Sequence, residues 1–436
     1  MDEQKHLKNE QGEPGKSKEK AIEKTTEKAE YSFMQETIKD ENRRGKKYRK
    51  ELLRMAGLGV AFGVCACVSF SALKPWLDKK FPGDSQEVVI PEEKEEDQTE
   101  TQKENTTNNT DQRLNIDNYR ELQKAMNDVA LEAGKSVVEI IGVTGEQDWA
   151  DESYDNKNSV SGLIIADNGQ DLLIYGKTSI LKNAKEIHVK FADAVTEQAT
   201  VKKKDESLGF AIYAVSRGSI EASTWSQITT AKLGSSNSVQ KGEAAIVLGK
   251  PFGYAGAVGF GTVASSKNEL DGDDGSYQLL CMDISAAGDG TGVIVNLSGE
   301  VVGIVDQDIS ENSSKELVTG YGISDLKAEI ELLSNGQAVP YAGIRGLDVT
   351  SEMAAEGIPE GVYVRTVEPD SPAMAAGIQS GDIITEAGGK KITSLAVYQG
   401  ILREQKSGSK LRLKGQRQGS GGYVDISFDV TVGSKE

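Results

Sequence analysis

The chain has 436 residues, 37% of them apolar, enough for packed cores in more than one domain, and 47 glycines against nine prolines point to many turns and a mainly β protein. A formal charge of −18 argues against nucleic-acid binding, because a surface that grips phosphates needs concentrated Lys and Arg. Only His6 and His188 are histidines, and no Cys/His cluster has metal-ligand spacing, so histidine chemistry is nearly excluded and neither a metal nor a cofactor is expected.

Residues 1–54 are Lys/Glu-rich and short of aromatic and β-branched residues, which predicts a disordered tail. Residues 55–73 form a run of nineteen residues without a charge, near the length a helix needs to cross a bilayer of about 30 Å. The polar stretch before it is far longer than a signal peptide's n-region, and Ser69 and Ser71 hardly make the polar face of a soluble helix. Seven basic residues lie between Arg43 and Arg54, which places the N-terminus in the cytoplasm and everything after the span outside. Residues 74–113 are acidic and Thr/Asn/Gln-rich, and read as an extended, self-repelling linker.

From residue 116 the pattern changes. Tyr119, Leu122, Met126, Val129 and Ala130 recur at helical spacing, predicting a short helix over 116–133. Short apolar runs separated by turn signals follow, from Val137 to Val143 through to Glu300 to Val305, as in an antiparallel sandwich or barrel. We take residues 114–335 as one domain. A second begins near Val339 and occupies 339–433, with strands at Gly361 to Val367, Gly381 to Glu386, Lys410 to Gln416 and Val424 to Val432 around a small-residue helix near Ser371.

Ser161-Gly162-Leu163-Ile164-Ile165, Gly249-Lys250-Pro251-Phe252-Gly253 and the run from Asn296 to Ile304 resemble, in that order, an early strand, the G-x-P-F-G turn and the hairpin after the nucleophile in the HtrA (Deg) family of trypsin-like serine proteases. Tyr341-Ala342-Gly343-Ile344 resembles the Y-L-G-I carboxylate-binding loop of the PDZ domain that follows the protease, and the segments around Pro369 and Gly377 resemble the adjoining strand, helix and turn. The resemblance implies a chymotrypsin-like double β-barrel followed by a PDZ domain.

The family's triad needs a serine, a histidine that acts as its base and an aspartate that orients the histidine. Matched segment by segment, the serine position holds Gly290, the histidine position Ser179 and the aspartate position Gly209. Thr291 beside Gly290 is a weak candidate nucleophile, more simply read as a hydroxyl satisfied by its turn. A Ser179–Lys177 dyad has no evident desolvation to activate it. His188 reads as a strand-surface residue and Asp205 as a former of a polar turn. No catalytic residue is therefore expected.

What the resemblance leaves is recognition. Tyr341, Ala342, Gly343 and Ile344 are the expected peptide-binding residues, taking C-terminal peptides or unfolded protein segments as an added strand. The expectation is a single-pass membrane protein that is catalytically dead, with a degenerate serine endopeptidase of protein quality control as the alternative. Assembly with itself or with active homologues is implied by the resemblance alone.

Overall fold

The computed structural model describes residues 86–91, 116–145, 158–309 and 316–435. The proposed span, 55–73, lies outside these residues, as do the tail and most of the linker. Among the described residues no helix is long and apolar enough to cross a membrane.

Two closed six-stranded barrels account for residues 137–322. The first is built from β1 (Val137–Val143), β2 (Ser159–Asp167), β3 (Asp171–Lys177), β4 (Glu186–Lys190), β5 (Thr196–Asp205) and β6 (Phe210–Ser216), closed in the order β1-β2-β3-β6-β5-β4. The second comprises β7 (Ala244–Lys250), β8 (Ala257–Gly272), β9 (Gly275–Ser285), β10 (Thr291–Val295), β11 (Val301–Asp306) and β12 (Leu317–Gly322), in the order β10-β11-β12-β9-β8-β7. Closure pairs every strand on both sides and so leaves no sheet edge open to other chains.

One apolar core runs through both barrels. Tyr175 of β3 stacks on Phe210 of β6 with ring centroids 4.9 Å apart, and Phe210 meets Tyr321 of β12 edge-on at 5.8 Å. Burying an aromatic of this size contributes about 1.5–3 kcal/mol, and each ring pair about 0.5–1.5 kcal/mol more. The seam between the barrels is therefore packed core, and polar groups that lie in it need partners.

Helix α1 (Ile116–Gly134) covers the range expected from its apolar spacing, but only its second half is covered. Ala130 and Ala133 are buried against the barrels, whereas Tyr119 and Leu122 of the same stripe are 62% and 57% exposed. Helix α2 (Ile323–Ser334) follows β12 and buries Ile323, Leu326, Ile330 and Leu333. Within the linker, residues 86–91 lie along the barrels rather than free in solvent. The Val88 N–H donates to Asn335 Oδ1 at 2.9 Å, the Ile90 N–H to Glu331 Oε2 at 2.8 Å, and both side chains pack on the core. The acidic charge that predicts a self-repelling linker is interrupted here by Val88, Val89 and Ile90, and burying apolar surface outweighs repulsion.

The second domain is a sheet whose five main strands run in the order β14-β15-β16-β18-β19, from β14 (Ile344–Asp348), β15 (Val362–Val367), β16 (Ile383–Ala387), β18 (Lys410–Gly419) and β19 (Gly422–Thr431), with one short strand more. A two-residue β17 (Lys390–Lys391) pairs with β16, and β13 (Pro340–Tyr341) pairs with β20 (Gly433–Ser434). Helix α3 (Pro372–Ala375) begins after Ser371, whose hydroxyl accepts the Met374 N–H and caps it. Helix α4 (Leu395–Arg403) buries Leu395, Tyr398, Ile401 and Leu402.

Candidate functional site

A cleft of about 210 Å³ opens between the barrels, and Ser179, Gly290 and Thr291 all line it. Gly209 is close by, its carbonyl accepting the Thr178 N–H at 2.8 Å. Folding thus gathers the three positions read as the triad into one place. Ser179 brings a hydroxyl there, and Gly209 and Gly290 bring no side chain.

Ser179 sits exposed in a single 3₁₀ turn, Thr178–Leu181, directly after β3. Its neighbour Lys177 is buried and is no base for it. Lys177 Nζ donates to Asp306 Oδ1 at 2.6 Å and also bonds Asp308. Burial would lower the Lys177 pKa, but these carboxylates outweigh it and hold the ammonium above its usual range. A lysine kept charged cannot take the serine's proton.

The loop before β10 is closed on itself. The Gly290 N–H donates to the Ala287 carbonyl at 2.9 Å, and the Ala287 N–H to the Pro251 carbonyl at 2.8 Å. A side chain at Gly290 would place its Cβ 2.5 Å from the Pro251 carbonyl oxygen and 3.0 Å from that of Ala287, closer than a carbon can sit to backbone oxygens. The loop shape requires glycine where the family's pattern has the nucleophile. Its N–H is taken by the Ala287 carbonyl and is not free to bind an oxyanion.

Thr291 corrects the expectation that its turn satisfies its hydroxyl. Thr291 Oγ1 accepts the N–H of Ser161 at 2.9 Å, and Ser161 Oγ donates to the Thr291 carbonyl at 3.2 Å. These bonds join β10 of the second barrel to β2 of the first. The hydroxyl is a latch across the seam, 4% exposed. Lys250, 2% exposed, lies at the same seam and donates to the Ser159 carbonyl at 3.0 Å.

His188 lies on β4 between Ile187 and Val189, half-buried beside Glu186, as expected for a strand-surface residue. Asp205 does form a turn, its carboxylate accepting the Ser207 N–H at 2.7 Å, but it is buried rather than set in a polar loop. It lies away from the cleft, beside Tyr277, Leu402, Arg403 and Lys435. Burial raises the Asp205 carboxyl to about 6, against the pull of the Ser207 and Leu208 N–H groups and of Lys435 and Arg403. Burial first, and the Asp205 charge second, push nearby Glu329 well above the carboxylate range.

A carboxyl that is harder to ionise folded than unfolded contributes stability below its unfolded pKa and loses it as pH rises through the folded value. Wild type should therefore weaken relative to Asp205→Asn by about 2 kcal/mol between pH 4.5 and 7.5. Chemical denaturation at both pH values measures this. A difference that does not change with pH would mean that Asp205 is ionised in the folded protein throughout.

In the second domain, the expected peptide-binding loop has its N–H groups pointing one way. Those of Ala342 and Gly343 each donate to Asp274 Oδ2 at 2.7 Å, and that of Ile344 donates to Asp274 Oδ1 at 3.0 Å. Ala342 and Ile344 are fully buried, and the Lys435 ammonium lies 4.5 Å from the centre of the Tyr341 ring. The loop is a carboxylate site, and a carboxylate of the same chain is in it.

Comparison with known proteins agrees with this architecture. A trypsin-like peptidase domain matches residues 160–304 and a PDZ domain residues 363–417. Over 279 residues the chain is 26% identical to serine protease Do-like HtrB of Bacillus subtilis (strain 168), spanning 59% of each protein. It is 28% identical over 289 residues to periplasmic serine endoprotease DegP of Escherichia coli (strain K12), covering 63% of this chain and 57% of DegP. This chain is an HtrA-family protein. It spans about three-fifths of the length of these curated relatives. The solved HtrA-type protease AlgW with tripeptide shares the fold, with a TM-score of 0.50 at 17% identity over 71% of this chain and 97% of that one.

Two features of this HtrA-family chain were not read from its sequence. The clamp of Asp306 and Asp308 on Lys177 joins residues 129 and 131 positions apart, and β11, buried at all six positions, has no alternation that would single out Asp306. The Asp271-Gly272-Asp273-Asp274-Gly275 run signals a turn, but nothing local tells what that turn touches.

Proposed function

We propose that this HtrA-family chain is a catalytically inactive, membrane-anchored member that binds C-terminal peptides or unfolded protein segments through its PDZ domain. It acts at the extracytoplasmic face as a scaffold, sensor or regulator. One observation carries the reading: the loop at the nucleophile position is closed around Gly290, with two backbone carbonyls where a serine side chain would stand. The histidine and aspartate positions hold Ser179 and Gly209, and Lys177 is tied to Asp306 and Asp308, so neither a histidine nor an uncharged lysine lines the cleft to act as the serine's base. Losing all triad members removes the activated nucleophile, whatever binding survives.

The anchor rests on the uncharged stretch 55–73 and the basic cluster before it. It leaves residues 1–54 as a cytoplasmic tail, 74–113 as a linker, and the barrels and PDZ sheet outside.

Hydrolysis of fluorescein-labelled casein tests the inactivity. The full chain, Thr291→Ala, Ser179→Ala and the triple variant Ser179→His/Gly209→Asp/Gly290→Ser should all stay at background, the triple variant because the loop cannot accept a serine. Turnover by the full chain that disappears with Thr291→Ala or Ser179→Ala would favour a degenerate endopeptidase, the activity its relatives are named for. Turnover by the triple variant would show that the closed loop reopens.

A further inference from the structure

The turn between β8 and β9 is the acidic run Asp271 to Gly275, and it rests on the PDZ sheet rather than in water. Asp274, at φ 61° and 5% exposed, fills the carboxylate loop as described, and the Tyr398 hydroxyl of α4 adds a fourth donor to Asp274 Oδ1 at 2.8 Å. Its backbone takes part as well: the Asp274 N–H donates to the Ile344 carbonyl at 2.7 Å. Ile344 opens β14, which is the edge strand of the sheet. A peptide's last residue, added to such an edge, presents two groups, a carboxylate to the loop and an N–H to the strand. Asp274 presents both from within the chain.

The neighbouring residues hold the turn in place. Arg345 Nε donates to Asp273 Oδ1 at 2.6 Å, Lys435 pairs with the same carboxylate, and Arg365 pairs with Asp271. Burial would raise the Asp273 carboxyl, but Lys435 and Arg345 keep it below the usual range. Gln399 of α4 packs against Gly275, so the tip lies between α4 and the edge of β14. A strand-adding peptide would need the same space.

We propose, on the peptide-binding reading above, that Asp274 is a resident ligand of the PDZ carboxylate site, and that a C-terminal carboxylate enters only by displacing the β8–β9 turn. The fraction of molecules with the turn undocked then scales the apparent affinity for peptide. Because β8 and β9 are also strands of the second barrel, displacement carries the binding event into that barrel, and a ligand that shifts the barrel strands alters peptide affinity in return.

The test uses the full chain in detergent micelles as wild type, Asp274→Ala and Asp274→Asn, with circular dichroism as the check on folding. The Asn variant keeps the shape of the side chain and serves if the Ala variant does not fold. The probe is a fluorescein-labelled decapeptide pool with three randomised apolar C-terminal residues, supplied with free or amidated C-termini, and amide exchange at Ala342, Gly343 and Ile344 is followed in parallel. Both variants should exchange faster at these amides. Asp274→Ala should bind the free-acid pool at least tenfold more tightly than wild type, Asp274→Asn by less, and the amidated pool should gain nothing. Unchanged exchange, or equal affinity in wild type and variants, overturns the resident ligand, and peptide binding stands if wild type already prefers the free acid. Faster exchange with no preference for the free acid in any variant overturns both.

Discussion

Replacing Lys177 with Met is expected to destabilise the double barrel by about 3–5 kcal/mol, the usual penalty for removing one partner of a buried ion pair. Asp306 is 2% exposed, and without Lys177 its carboxylate stands uncompensated at the seam between the barrels. Asp308 contributes less, because its side chain is 73% exposed and water takes over its charge. The double variant Lys177→Met/Asp306→Leu should recover most of the loss, since an apolar pair of similar volume is often as stable as the ion pair it replaces. Denaturant unfolding of all three proteins decides the point. A loss below about 1 kcal/mol for Lys177→Met would show that the pair is hydrated and the cleft wetter than its geometry indicates.

Gly343→Ala is the second large effect, with an expected loss of about 2–5 kcal/mol confined to the PDZ domain: about 1–2 for an L-residue in left-handed backbone and 1–3 for overlap. Gly343 adopts φ 87°, and an added Cβ would overlap Ser371 Cβ and lie 2.7 Å from Tyr341 Oη. Ser371 cannot move away cheaply, because its hydroxyl caps α3. Gly357→Ala separates the two contributions. Gly357 has a similar φ of 91° with nothing within 4 Å of the added Cβ, so only the backbone penalty of about 1–2 kcal/mol applies. Hydrogen exchange across β14 and β15 would read the loss domain by domain. Equal effects of the two substitutions would mean that the loop yields, and that its close packing does not fix the carboxylate site.

The barrels are legible as short apolar runs separated by turn signals wherever a strand is mostly buried. Strands such as β1 and β6 lie within a residue or two of their expected ends. β5 was missed because TEQATVKKKD is almost wholly polar: of its ten residues only Ala199 and Asp205 are buried. The strand exists because β4 and β6 supply hydrogen-bonding partners on both sides, and its own apolar surface does little to hold it there. Helix α4 is weakly marked in the sequence because Val397 and Gly400 lower its helical propensity, although Ser394 caps it and its apolar residues fall on one face.

Sequence by itself determined the order of domains, the identity of the residues at the positions read as the triad and the location of the carboxylate loop, since all of these rest on neighbours in the chain. Tertiary structure alone decided what those residues do. Thr291 bonds Ser161, 130 residues away, Lys177 is neutralised by Asp306, 129 away, and Asp274 fills a loop 68 to 70 residues further on. The periodicity of a strand reports which face is buried, but not which distant polar group meets it there. Only the closure of two barrels and the docking of a third sheet bring such groups within hydrogen-bond reach.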